Sequence, residues 1–108
     1  MFTTNLTLNL KPNSTQEFTR IIENEITPLL RKQKGFRDEI SSVVSGHSEA
    51  LTIVYFDTKA DAENFNNTGW PEVLKSLAKL VEGTPKHHVC DVVSSTFHKI
   101  GAAKTATN

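Results

Sequence analysis

The spacing of the apolar residues switches between a period of two and a period of about 3.6 along residues 1–100. Leu6, Leu8 and Leu10 alternate with polar residues, which indicates a strand with one apolar face. A helical spacing follows, then two strands, a further helical region and a last strand. This β-α-β-β-α-β order predicts an α+β, ferredoxin-like fold, in which a four-stranded antiparallel sheet carries its helices on one face.

Strands are predicted where β-branched and apolar residues lie between turn signals, over residues 3–10, 36–45, 50–56 and 87–97. The first helix is predicted over residues 15–33, and Ser14 with Glu17 has the spacing of a capping box at its start. Pro28 lies inside this helix. We expect it to bend the helix, because proline cannot donate the backbone hydrogen bond that the helix needs.

The second helical region is predicted as two pieces. A short helix over residues 59–66 begins after Thr58, which has a capping-box-like spacing to Asp61. Asn67-Thr68-Gly69 interrupts this helix. A second helix restarts at Trp70-Pro71, since proline suits the first turn of a helix. Gly83-Thr84-Pro85 is expected to end this helix before the last strand.

The length and charge of the chain exclude several classes of protein. The 108 residues fit one domain, predicted over residues 1–100, and residues 101–108 are expected to form a flexible C-terminal tail. The 12 basic and 12 acidic residues give zero net charge, which excludes nucleic acid as the main partner. No apolar run approaches the length of about 20 residues that spans a membrane. Residues 1–10 do not resemble a signal peptide, so a cytoplasmic protein is expected.

The polar side of the first predicted strand carries Asn5, Thr7 and Asn9. Because the helices would cover only one face of the sheet, the other face must meet solvent or a partner. Asn, Ser and Thr make up 29 of the 108 residues, which is a large uncharged capacity for hydrogen bonding. A polar strand face of this kind suits a dimer partner or a small ligand, so these three residues are candidates for ligand binding.

Three local features carry a resemblance: the internal Pro28, Gly35-Phe36 at the start of the second strand, and the strand-then-helix stretch of residues 53–62. Together with the element order, they resemble the antibiotic biosynthesis monooxygenase-like domains of the dimeric α+β barrel superfamily, over about residues 2–99. The resemblance implies a homodimer in which two four-stranded sheets pack face to face. It also implies a small-molecule pocket between each sheet and its helices, or within the barrel.

The resemblance also implies an activity, a cofactor-independent monooxygenase that acts on a small aromatic or quinol-like molecule. Some members oxidise aromatic polyketides with molecular oxygen and use neither metal nor flavin. In those members an Asn and a Trp hold the substrate and the reduced oxygen, and Asn66 and Trp70 are similar to this pair. Tyr55 or a histidine would then move protons. Haem-degrading members have an iron-binding His near the position of Leu77, so this sequence departs from them.

Two histidines are further candidates for ligand binding, since histidine is the side chain best suited to proton transfer near neutral pH. His47 lies in the turn beside Gly46, and His88 shares a strand face with Cys90, two residues away. A zinc site needs three or four ligands, and these two predict neither a metal site nor a bound cofactor. A single cysteine also excludes an internal disulfide framework.

Other interpretations of the same residues stay open. Trp70 could serve only to pack its helix against the sheet or the dimer partner, since aromatic residues dominate buried surfaces. The chain could be a non-catalytic small-ligand-binding or stress-related dimeric barrel, because no set of its residues has to be catalytic. It could also be an interaction module whose barrel is filled by side chains.

Overall fold

The computed structural model describes residues 1–46, 48–98 and 100. Its strands are β1 (Phe2–Leu10), β2 (Phe36–Val43), β3 (Glu49–Phe56) and β4 (Val81–Asp91). Its helices are α1 (Thr15–Ile21), α2 (Thr27–Arg31) and α3 (Lys59–Leu77), with a π-helical turn (Ile22–Ile26) between α1 and α2 and a 3-10 turn (Ala78–Leu80) after α3. The antiparallel strands lie in the order β2-β3-β1-β4, so the predicted ferredoxin-like fold is confirmed.

The helices pack on one face of the sheet and form a single apolar core with it. Successive strand residues point to opposite faces, and the alternation predicted for β1 places Leu6, Leu8 and Leu10 on the helix side. The helices and β3 contribute the other large buried side chains, which are Phe18, Ile26, Leu30, Val54, Phe56, Phe65, Trp70, Val73 and Leu77. Burial of this apolar surface is the main force that holds the helices on the sheet.

The first helical segment contains a π-helical turn, Ile22–Ile26, directly before the segment that holds Pro28. In a regular α-helix the proline ring would clash with the carbonyl group four residues earlier, here that of Asn24. Asn24 lies inside the wider turn, where the regular hydrogen-bond ladder is interrupted. The two sides of the turn keep a common buried face, because Ile22 and Ile26 both stay in the core.

The two predicted helix caps have different outcomes. Thr58 has an extended backbone, and its hydroxyl oxygen accepts a hydrogen bond from the backbone N–H of Asp61 at 3.1 Å, so the start of α3 is confirmed. Ser14 precedes α1 with helical dihedral angles, and its side chain makes no capping hydrogen bond, so the capping box with Glu17 is wrong. A side-chain cap needs the extended backbone that Ser14 lacks.

The second helical region is one continuous helix, so the predicted break before Trp70 is wrong. Gly69 serves close packing, because the Phe65 ring lies 2.2 Å from the place where a Cβ would stand. Pro71 leaves the carbonyl group of Asn67 without its helical donor, and Asn67 is exposed, so water can bond there. Phe65 and Trp70 are both fully buried, and their packing outweighs the weak helix propensity of this stretch.

The last strand lies earlier in the chain than predicted. It covers Val81–Asp91 rather than residues 87–97, because Gly83-Thr84-Pro85 lies inside the strand and does not precede it. Gly83 has a positive φ of 69°, and the register of β4 with β1 shifts across these three residues, which is typical of a β-bulge. Pro85 is tolerated because β4 is an edge strand, where a missing N–H breaks fewer ladder bonds.

The other face of the sheet points away from the helices. Tyr55 lies there, and its ring centroid is 4.7 Å from that of His98, which follows β4. His98 Nε2 is also 3.8 Å from a carboxylate oxygen of Asp38 on β2. Within the described residues, no helix is long and apolar enough to cross a membrane. The tail predicted over residues 101–108 lies outside the described residues.

Candidate functional site

Asn66 and Trp70 lie one turn apart on α3, and both side chains meet Thr4 on β1. The indole Nε1 of Trp70 is 2.7 Å from the hydroxyl oxygen of Thr4. The same hydroxyl is 2.7 Å from the side-chain oxygen Oδ1 of Asn66. The ring nitrogen Nδ1 of His87, on β4, is 3.0 Å from this Oδ1. These four residues, Thr4, Asn66, Trp70 and His87, are called the Asn66 network below.

The direction of each hydrogen bond in the Asn66 network follows from Trp70. An indole N–H can only donate, so the Thr4 hydroxyl oxygen accepts from it. The single hydroxyl hydrogen of Thr4 is then free for Asn66, whose Oδ1 accepts it. Because Oδ1 can only accept, the His87 ring must carry a hydrogen on Nδ1. The network therefore fixes the amide orientation of Asn66 and a hydrogen on one particular nitrogen of His87.

The four members of the Asn66 network differ in how deeply they are buried. Trp70 and Thr4 are both 0 % exposed. The Trp70 ring also meets the ring of Phe65 edge to face, with centroids 5.0 Å apart. Asn66 and His87 are only half-buried. The Trp70 N–H is therefore used inside the protein. Asn66 and His87 connect the network to the surface, and of these two Asn66 lines the groove described next.

A groove of about 350 Å³ lies between α3 and the strands β1 and β4, and Asn66 lines it. Phe2 and Val89 are its apolar side chains. The remaining lining residues are Lys59, Glu63, Asn67 and Asp91. The volume is at the lower end of the range of roughly 300–1,000 Å³ that is typical of small-molecule sites. Among the described residues, the Asn66 amide nitrogen Nδ2 has no hydrogen-bond partner, so it is free to bind a ligand in the groove.

The structure brings together only two of the residues predicted from the sequence, Asn66 and Trp70. The others that it describes lie on the sheet face away from the helices, namely Tyr55, Asn5, Thr7, Asn9 and His88. Asn5 donates from Nδ2 to the sulfur of Cys90 at 3.6 Å, and its Oδ1 is buried without a partner. His88 is exposed and lies opposite Asn5 in the β1–β4 register. His47 lies outside the described residues.

Two residues of the network, Thr4 and His87, are missing from the sequence-based candidates. Thr4 has the same strand parity as Leu6, so it is a polar residue in an apolar stripe, and that is the signal that could have found it. His87 pairs with Leu6 in the β1–β4 register and so faces the helices. Nothing in the local sequence around His87 indicates that it meets Asn66.

The described residues also contain no cluster of three or more His, Cys, Asp or Glu side chains that could hold a metal ion.

The fold is similar to that of several solved monooxygenases. The monooxygenase ActVA-Orf6 of Streptomyces coelicolor, in complex with nanaomycin D, has a TM-score of 0.71 at 14 % identity and covers 87 % of this chain and 88 % of its own. SnoaB, a cofactor-independent oxygenase from Streptomyces nogalater, has a TM-score of 0.68 at 12 % identity over 88 % of this chain and 95 % of its own. A candidate antibiotic biosynthesis monooxygenase from Bordetella bronchiseptica has a TM-score of 0.71 at 14 % identity over 86 % and 97 %.

No family model and no curated protein matches the sequence. The structural similarity is strong while the identity is low, so it establishes the arrangement of the chain. The chain therefore has the fold of the antibiotic biosynthesis monooxygenase-like proteins, as the sequence resemblance indicates.

Proposed function

We propose that this protein is a cofactor-independent monooxygenase that acts on a small hydroxyaromatic, quinol-like molecule bound in the groove at Asn66. The observation that carries the proposal is the free amide nitrogen of Asn66, which lines the groove while its oxygen is held by Thr4 and His87. The fold shared with a monooxygenase and with a cofactor-independent oxygenase supports it. A fold hosts many activities, so the site carries the argument.

The proposed reaction needs only the substrate and molecular oxygen. A ring with a hydroxyl group and a para C–H bond loses the hydroxyl proton to solvent and becomes an oxyanion. The para carbon then gives an electron pair to O₂ and forms a C–O bond, which yields a peroxide anion that takes up a proton and becomes a hydroperoxide. Loss of the C–H proton breaks the O–O bond, and the released hydroxide takes up a proton. The products are one quinone and one water, so O₂ supplies one oxygen atom to each.

The residues of the chain bind and orient the substrate in this scheme. Phe2 and Val89 provide apolar contact for the ring. The Asn66 Nδ2 group donates to the substrate oxyanion, where a fixed donor stabilises the charge that deprotonation creates. Trp70 and Thr4 act as positioning residues, because they hold Asn66 from inside the core.

Oxygen uptake tests this function. We expect the protein to consume O₂ with anthrone or with members of a panel of naphthols whose para position carries hydrogen, and to release a quinone without hydrogen peroxide. Anaerobic samples and heat-denatured protein control for autoxidation. If no member of the panel raises oxygen uptake above that of denatured protein, the proposed activity is wrong.

The alternative function is non-catalytic binding of a small ligand, and a specific observation favours it. Asn5 Oδ1 is buried without a hydrogen-bond partner on the sheet face away from Asn66, where a bound ligand could donate to it. A ligand that binds on this face and raises the melting temperature of the protein, without any oxygen uptake, would support binding over catalysis.

We also propose that the sheet face away from the helices pairs with a second copy of the chain. Leu51 and Ile53 lie on this face only half-buried, and Ile40 is 45 % exposed. A second copy would cover these side chains, as an apolar patch on a sheet requires. Sedimentation equilibrium is expected to give twice the chain mass of 12.0 kDa. A monomer at micromolar concentration would contradict this proposal.

A further inference from the structure

We infer that Thr4 and His87 act as a clamp on the Asn66 amide, so that Nδ2 rather than Oδ1 faces the groove and selects ligands with a negatively charged oxygen. The inference rests on the proposed function, since it names the chemical class that the same site takes. It concerns two residues that do not line the groove, so they would act through Asn66 as positioning residues.

The clamp has one consistent orientation. If the Asn66 amide were flipped, its NH₂ group would face Thr4, whose oxygen already accepts from Trp70. The Thr4 hydroxyl hydrogen would then have no acceptor, at a residue that is 0 % exposed. A buried polar hydrogen without a partner is costly. The fully buried Trp70 N–H thus determines, through Thr4, which end of the Asn66 amide meets the groove.

His87 holds the same oxygen from the opposite strand. Thr4 belongs to β1 and His87 to β4, so two separate elements donate to Asn66 Oδ1. Two donors on the oxygen polarise the amide group, and this makes its N–H bonds stronger donors through hydrogen-bond cooperativity. The side chain is thereby prepared to bind an acceptor before any ligand arrives.

The ligand class follows from this polarity. An amide held by its oxygen offers only donors to the groove, so a phenolate or enolate oxygen fits at Asn66. The groove also carries Lys59 and the carboxylates of Glu63 and Asp91, which act on an anion equally in the wild type and in the Thr4 and His87 variants. A charged acceptor forms a stronger hydrogen bond with an N–H donor than a neutral one does. Aromatic ligands of equal size should therefore separate by the charge on their oxygen.

The test compares the affinity of the complete protein for two probes of nearly equal size. One is 2-hydroxy-1,4-naphthoquinone, an anion at neutral pH, and the other is uncharged 1,4-naphthoquinone. The wild type is expected to prefer the anion. Thr4→Val and His87→Phe are each expected to reduce this preference about tenfold, the size of one lost hydrogen bond. Thr4→Ser, which keeps the hydroxyl group, is expected to retain the preference.

The control is Thr52→Val, a second buried threonine on the helix side of the sheet. Its hydroxyl is 2.9 Å from that of Ser41, and among the described residues it makes no hydrogen bond with a member of the Asn66 network. Thr52→Val is therefore expected to lose a similar hydrogen bond and keep the preference for the anion. Equal preference in Thr4→Val and the wild type would overturn the clamp, as would a wild type that does not prefer the anion. If the wild type prefers the anion but consumes no O₂ with any member of the substrate panel, the proposed activity is wrong and the inference about Thr4 and His87 still holds.

Discussion

Replacing Trp70 by alanine is expected to lower the free energy of unfolding by about 3–5 kcal/mol. The side chain is 0 % exposed and is the largest that is fully buried in the described residues. Its removal leaves a cavity beside Phe65, whose ring meets the indole edge to face. It also removes the donor to Thr4, so the loss combines packing with a buried hydrogen bond.

Urea denaturation followed by far-ultraviolet circular dichroism measures this loss. Fluorescence is unsuitable, because Trp70 is the only tryptophan of the chain. The protein concentration should stay constant, since dimer formation would make stability depend on it. Trp70→Phe is expected to lose less, and Asn64→Ala, an exposed position on the same helix, should stay within about 0.5 kcal/mol of the wild type. A loss below about 1 kcal/mol for Trp70→Ala would contradict the packing role.

Replacing Asn66 by alanine is expected to reduce kcat for oxygen consumption by a factor of about 10² to 10³, the effect typical of removing one oxyanion donor. KM should change much less, because the oxyanion forms mainly as the reaction proceeds. The fold should survive, since Asn66 is only half-buried. Initial rates of oxygen uptake over a range of substrate concentrations measure both quantities.

Asn66→Asp separates the donor from the acceptor side of the same residue. An aspartate keeps an oxygen for Thr4 and His87 but loses the N–H groups that face the groove. It is therefore expected to be as inactive as the alanine variant, while Asn64→Ala keeps wild-type kcat. Wild-type activity in Asn66→Asp would show that the amide nitrogen is not the group that matters.

Much of the fold follows from local spacing, because strands and helices need different periods of apolar residues. The alternation of Leu6, Leu8 and Leu10 was sufficient to identify the buried face of β1. The errors occur where turn-forming residues lie inside regular elements. Gly69 is in α3 for close contact with Phe65, and Gly83 is in a bulge of β4, so neither ends an element. Such roles depend on contacts between distant segments, which a local pattern does not contain.

The candidate site likewise contains residues that the sequence could identify and residues that it could not. Asn66 and Trp70 are paired by the resemblance alone, because the predicted break over residues 67–69 puts them on separate helices. The continuous helix α3 places them one turn apart. Thr4 could not be identified, since its bonds to Asn66 and Trp70 span 62 and 66 residues of chain. The resemblance groups Tyr55 with this pair, and β3 places it on the opposite face of the sheet. Strand parity gives the relation of residues within a strand, but which face meets α3 depends on the whole fold.

The most direct test of the proposed activity uses ¹⁸O₂ with whichever naphthol or anthrone supports oxygen uptake. Mass spectrometry of the quinone, quenched after short reaction times, should find one labelled oxygen atom per molecule, with the second labelled atom in water. Asn66→Asp should form this product far more slowly than the wild type. An unlabelled quinone accompanied by labelled hydrogen peroxide would contradict the account, because oxygen would then be only an electron acceptor.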